Sequence, residues 1–190
     1  MMFNNDYRSI FSALNELLKN QTRVVAAIDG SAASGKTTLA NMLSDRYGAA
    51  VIHMDDFFLR PEQRMPERFA EAGGNIDRER FLKEVIPFLK EKRAFSYQRF
   101  DCKSMMLGDH IHIPETQLIV VEGSYSLHPA FTDYYDLSIF LSISEKTQKE
   151  RIEMRNGAMA EMFFSHWIPL ENTYFDSFQI KTKADIVITC

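Results

Sequence analysis

A three-layer α/β/α fold, with a mostly parallel five-stranded sheet between helices and a small hairpin-like insertion, follows from three observations. Short β-branched and apolar runs recur along the chain, separated by stretches of helical periodicity. The first run leads straight into a glycine-bounded loop that opens a helix. Two later runs end in acidic residues, where open parallel sheets present ligand-facing side chains.

The elements follow in chain order. Tyr7, Ile10, Phe11, Leu14, Leu17 and Leu18 give an amphipathic helix over 5–19. Residues 23–28 (RVVAAI), bounded by Asp29-Gly30, read as a buried strand. Residues 36–47 form a helix with Leu39, Met42 and Leu43 on one face, stopped at Gly48. A strand over 50–54 ends at Asp55-Asp56, and 60–77, with Pro61, Pro66, Gly73 and Gly74, reads as an irregular excursion. Asp77 is placed to cap a helix over 78–91. Residues 94–113 form the insertion, and 117–121 (QLIVV) a strand ending in Glu122-Gly123. A strand over 137–143, helices over 145–156 and 158–180, and a strand over 185–189 complete the order. The whole, 1–190, reads as a single domain, since 190 residues can bury a substantial core.

Composition narrows the function classes. Hydrophobic residues make up 45% and charged residues 25%, as in globular proteins that fold in water. A net charge of −4 argues against a nucleic-acid polymer as partner, which demands clustered positive charge. No apolar run reaches membrane length, and Met1–Lys19 is broken by Asn4, Asn5, Asp6, Arg8 and Glu16, unlike a signal peptide. Cys102 and Cys190 form no CxxC pair and read as reduced thiols. A cytoplasmic protein with no membrane partner is expected, and a homo-oligomer is left open.

The decisive motif is Gly30-Ser31-Ala32-Ala33-Ser34-Gly35-Lys36-Thr37, followed by Thr38. It matches GxxxxGK[ST], the phosphate-binding P-loop, and it stands between a strand and a helix, as that mechanism needs. Glycines let the backbone curl around a phosphate, and the backbone N–H groups and helix N-terminus form an anion nest. Lys36 adds a positive charge for the terminal phosphates, and the Thr37 hydroxyl is placed for Mg²⁺. ATP and Mg²⁺ are therefore the expected cofactors, and phosphoryl transfer the expected chemistry.

Transfer to an alcohol needs a group that accepts the hydroxyl proton and acids that organise the metal and its waters. Asp55, directly after the second strand, is the candidate base, with Asp56 as the alternative. Glu122 ends an apolar strand in the manner of a Walker B acid, with a role toward metal-bound water or the acceptor hydroxyl.

Taken together, GSAASGKTT (30–38), HMDDFF (53–58), VEGSY (121–125), the helix with Arg151 and Arg155, and KADIVI (183–188) resemble the uridine kinase and phosphoribulokinase-like family over residues 23–189. The resemblance implies that Asp55 is the catalytic aspartate, that Asp77 holds ribose hydroxyls, and that Tyr97 lies near the base pocket. It further implies that Arg155 reaches the phosphates from a lid at about 151–160. Arg151, four residues earlier on the same helix face, joins it as a phosphate contact. The chain departs from the family where Gln-Arg-Phe-Asp-Cys follows Tyr97, in place of a histidine and an arginine, and where the lid after Arg155 runs Asn-Gly-Ala-Met. The implied activity is a small-molecule kinase with a nucleoside-like acceptor. Other ribosides, pantothenate or a sugar phosphate are alternative acceptors.

Two rival readings stand beside it. Thr182-Lys183-Ala184-Asp185 matches the TKxD guanine-reading pattern of GTPase switches, although it precedes a strand instead of following one. The short lid also fits a nucleotide-binding regulatory protein of weak catalysis. Trp167, with Phe163, Phe164 and Ile168, is read as helix packing, and no role is assigned to Arg99 or His128.

Overall fold

The computed structural model describes residues 7–190. Positions 5 and 6 of the expected first helix lie outside the described residues, as do the first six positions of the stretch weighed as a leader.

Five strands form one parallel sheet: β1 (Val24–Gly30), β2 (Ala50–His53), β5 (Leu118–Glu122), β6 (Leu137–Ser142) and β7 (Ile186–Thr189), in the order β2-β5-β1-β6-β7. A separate antiparallel hairpin pairs β3 (Phe95–Asp101) with β4 (Met106–Ile113). Strand β1 runs two residues further than the apolar run suggests, carrying Asp29 and Gly30 into the sheet.

Alternation sorts each strand between two cores. Val25 and Ala27 of β1, with Ile119 and Val121 of β5, face one side. There they meet helices α4 (Arg78–Glu84) and α5 (Ile86–Leu89) through Phe81, Val85 and Leu89. Val24, Ala26 and Ile28, with Leu118 and Val120, face the other side. That face is covered by α1 (Arg8–Asn20) and α2 (Lys36–Tyr47) through Ile10, Leu14, Leu39 and Leu43. Truncating a fully buried Leu here to Ala would remove about 2–5 kcal/mol.

Two predicted helices are divided. Pro87 lacks an amide hydrogen and interrupts 78–91, so α4 and α5 meet at Val85 with a changed axis. The excursion over 60–77 holds one short helix, α3 (Pro66–Ala70). Helix α6 (Glu145–Asn156) has the expected bounds and is capped by the Ser144 side chain, which accepts from Thr147 N at 3.2 Å. Beyond it the expected single helix breaks into α7 (Ala160–Met162), a π-type turn over Phe163–Trp167, α8 (Ile168–Phe178) and α9 (Ile180–Lys183). Pro169 sits in the first turn of α8, and Gln179, at φ +55°, ends it.

The strand order decides where the site lies. With β5 between β1 and β2, the carboxyl ends of all three strands open on one edge of the sheet. Gly30 closes β1 at φ +139°, and a Cβ there would stand 2.0 Å from the Leu141 carbonyl oxygen of β6, so no larger residue fits. Gly35, at φ +102°, turns the chain into α2.

Candidate active site

A cleft of about 780 Å³ opens at this edge. Ala32 to Thr38 of the phosphate loop form its floor, and Asp55, Glu122, Arg151 and Arg155 also line it. Gly30 and Ser31 do not line the cleft. Their carbonyl oxygens instead accept from the Lys36 ammonium, at 2.6 and 3.0 Å. Arg151 Nη1 donates to the Ala33 carbonyl at 3.1 Å. The Arg155 guanidinium lies 5.7 Å from the centre of the Phe163 ring. Arg151 thus ties α6 to the phosphate loop, while Arg155 stands at the cleft wall beside Phe163.

Glu122 is buried, and its carboxylate accepts from the Thr37 hydroxyl at 3.2 and 3.3 Å. It also meets His53 Nδ1 at 2.6 Å, because His53 and Glu122 are register partners across β2 and β5. That hydrogen bond raises the histidine above its usual range, against the opposing effect of burial. A strand-end hydroxyl–carboxylate pair at the head of α2 suits an ion that keeps most of its water and phosphate ligands, as Mg²⁺ does. Among the described residues no group of three or more His, Cys, Asp or Glu side chains forms an all-protein metal cage.

Asp55 and Asp56, adjacent in sequence, part company in space. The short turn Met54–Phe57 sends Asp55 into the cleft and Asp56 behind it. Asp56 is buried and accepts from the Tyr97 hydroxyl at 2.6 Å. Asp55 stands at the solvent-open cleft face, and its carboxyl is raised above the ordinary aspartate range. The enclosing walls contribute most and Glu122 next, with Lys36 and His53 opposing. Such a shift strengthens a carboxylate as proton acceptor.

Asp77 and Tyr97 are not brought to the cleft lining. Asp77 is buried and caps α4, accepting from Arg80 N at 3.1 Å, with Arg60 Nε 3.5 Å from its other oxygen. The Arg80 guanidinium donates to the Asp56 and Gln98 carbonyls and lies over the Phe57 ring. Asp56, Asp77, Arg80 and Tyr97 therefore make a buried brace behind the turn that presents Asp55.

Several residues at the site escape the sequence reading, among them His53, which meets Glu122 without lining the cleft. His53 could have been found from its register with Glu122. Glu171 of α8 is buried and accepts from Ala32 N at 2.9 Å and from the Ser124 hydroxyl at 2.6 Å. Asn75 also lines the cleft, and so does Trp167. Phe164 and Ile168 pack against Ile152 and Ala160, and Trp167 packs too, its ring tilted against that of Phe58 at 6.2 Å, while also lining the cleft. The TKxD segment is turned elsewhere, since Asp185 accepts from Ser138 N at 2.8 Å and fixes the edge of the sheet.

No family model matches the chain. The uridine kinase of Limosilactobacillus reuteri (strain DSM 20016) is 24% identical over 187 residues, spanning 90% of this chain and 84% of that protein. A Schizosaccharomyces pombe protein, provisionally named a uridine kinase, is 24% identical over 174 residues, spanning 80% and 74%. In fold, a solved structure from Bacillus stearothermophilus, provisionally described as a uridine kinase, matches with a TM-score of 0.68 at 20% identity, covering 95% of this chain and 99% of that one. A Silicibacter sp. TM1040 structure, provisionally described as a fructose transport system kinase, matches with a TM-score of 0.69 at 22% identity, covering 94% and 97%. In sequence along most of its length, and in the layered fold around its phosphate loop, the chain resembles the uridine kinase and phosphoribulokinase-like family of P-loop kinases.

Proposed function

We propose that this protein is an ATP-dependent kinase that transfers the γ-phosphate to a hydroxyl of a small, nucleoside-like acceptor, with uridine-like molecules as the leading class. One observation carries the reading: the phosphate loop, the raised Asp55 carboxyl and the Thr37–Glu122 pair line a single cleft. The relatives' names agree with a kinase, and none of them fixes the acceptor.

Each residue has a part in that chemistry. Backbone N–H groups at the head of α2, over Gly35–Thr38, and the Lys36 ammonium hold the triphosphate. Thr37 and Glu122 hold Mg²⁺ and its waters. When bound, the ion neutralises charge on the transferring phosphoryl group. Arg151 and Arg155 stabilise charge on the phosphate oxygens. Asp55 accepts the proton of the attacking hydroxyl, and Asp56, held by Tyr97, keeps the turn in place. ATP use and the free thiols Cys102 and Cys190 suit a reducing cytoplasm.

The test is Asp55→Asn. A well-placed general base contributes about 10²–10⁴-fold to rate, so kcat is expected to fall by that order while ATP affinity, measured by calorimetry, holds. Turnover within about threefold of wild type would remove Asp55 from the role of base.

A further inference from the structure

The cleft wall formed by the start of α8 and the turn before it has its own chemistry. Trp167 and Glu171 lie four residues apart, so they share a face of the helical segment that borders the cleft. Trp167 faces Phe58, and Phe58 bridges to Ile76, next to Asn75. Phe58, in turn, follows Asp55 by three residues. Planar apolar walls, two carboxylates and an amide thus converge around one space.

Two features show that this space is built to receive hydrogen bonds. Asn75 is 5% exposed and lines the cleft beside Tyr125, whose hydroxyl it approaches, yet its Nδ2 makes no hydrogen bond of good geometry among the described residues. A buried donor left unpaired is costly, and its place in a cleft wall makes a ligand its natural acceptor. Glu171 uses one acceptor site on each oxygen, for Ala32 N and Ser124 Oγ. A carboxylate offers about four such sites, so roughly half remain for donors in the cleft.

Charge is divided among the elements that line the cleft, with Glu122 and Glu171 also touching the loop at Thr37 and Ala32. The lining cations are Lys36, Arg151 and Arg155, and they belong to the phosphate loop and to α6. The rest of the lining carries the acids Asp55, Glu122 and Glu171. An acceptor bearing its own phosphate or carboxylate would bring like charges together there, a repulsion that serves specificity.

We infer that Glu171 is a specificity-determining residue for the acceptor. It takes hydroxyl or ammonium donors of an uncharged or cationic molecule whose flat portion packs against the edge of the Trp167–Phe58 ring pair, and it selects against anionic acceptors. Asn75 supplies the complementary donor. This rests on the kinase reading above and goes beyond it in naming the charge class and the residues that select it.

The experiment is ATP consumption by the intact protein with three acceptor sets: uncharged nucleosides, a sugar phosphate, and pantothenate. Wild type is expected to use a member of the first set best. Glu171→Gln is expected to raise that acceptor's KM at least tenfold with ATP affinity changed less than threefold, and to narrow the preference over anionic acceptors. Asn75→Ala, which leaves the phosphate loop untouched, is expected to raise the same KM at least fivefold and serves if the first variant does not fold. If an anionic acceptor is best in wild type, the inference fails while the kinase reading stands. If Glu171→Gln shifts ATP affinity as much as acceptor KM, Glu171 is a brace of the phosphate loop and the inference fails. If no acceptor in any set drives ADP formation, the kinase reading itself fails.

Discussion

At the scale of single residues, Asp29 joins the phosphate loop to its surroundings. Its carboxylate accepts from Gly30 N, Tyr125 N, Leu127 N and the Tyr174 hydroxyl, at 2.7 to 3.2 Å. Complete burial nevertheless raises its pKa to about 6, with Leu127 N, Lys36, Gly30 N and the Tyr174 hydroxyl only partly offsetting the desolvation. In Asp29→Asn an amide group would face backbone N–H donors and leave at least one unpaired, at about 1–3 kcal/mol. Lower urea stability at neutral pH is the expected result. The pH dependence has a definite sign. Folding raises this carboxyl, so the folded chain binds the proton more tightly than the unfolded one between about pH 4 and 6. Wild-type stability relative to the variant should therefore grow by about 1 kcal/mol between roughly pH 7.5 and 5. A constant gap across that range would show that the carboxyl is not raised.

At the scale of elements, α8 ends at a residue with unfavourable backbone geometry. Gln179 holds φ +55°, a conformation that costs an L-residue about 1–2 kcal/mol and glycine little. Gln179→Gly is expected to raise stability by up to about 1 kcal/mol, read as a higher thermal midpoint, with kinase kinetics unchanged. The same segment shows where sequence reading reached its limit. Strands were legible to within a residue or two because alternation and β-branching mark them directly, as in LIVV before Glu122. Breaks inside helices were less so: Pro87 announces one, but the π-type turn over Phe163–Trp167 depends on what that turn packs against. In the cleft, the phosphate loop, Asp55 and Glu122 were legible because each follows or ends a strand. Glu171 was not, for it stands 139 residues from the amide it meets and follows a helical stretch that read as plain packing. Asp77 and Tyr97 came from family resemblance, and the structure gives both of them partners behind the cleft.

At the scale of the whole molecule, the two cores meet on one sheet whose carboxyl edge is the cleft, so a ligand there should be felt globally. Binding to the folded state alone stabilises by RT ln(1 + [L]/Kd), about 2.7 kcal/mol at a hundredfold excess over Kd. Magnesium and ATP together are expected to raise the thermal midpoint by several degrees, with Lys36→Ala abolishing most of the rise. An equal shift in that variant would place the nucleotide somewhere other than the loop. No helix among the described residues is long and apolar enough to cross a membrane.

Strand order also governs how the chain first becomes compact. The central strand, Val24–Gly30, has as neighbours β5 and β6, which begin at Leu118 and Leu137. During synthesis its two apolar faces and its backbone amides must wait until almost 90 further residues have been made, roughly 5–20 s at ordinary elongation rates. For that interval VVAAI is an unpaired, uncharged β-former on a growing chain, the kind of segment that invites aggregation. The arrangement that gathers three strand ends at the phosphate loop thus leaves the nascent strand exposed, and yield on expression is expected to rise with the supply of holding chaperones.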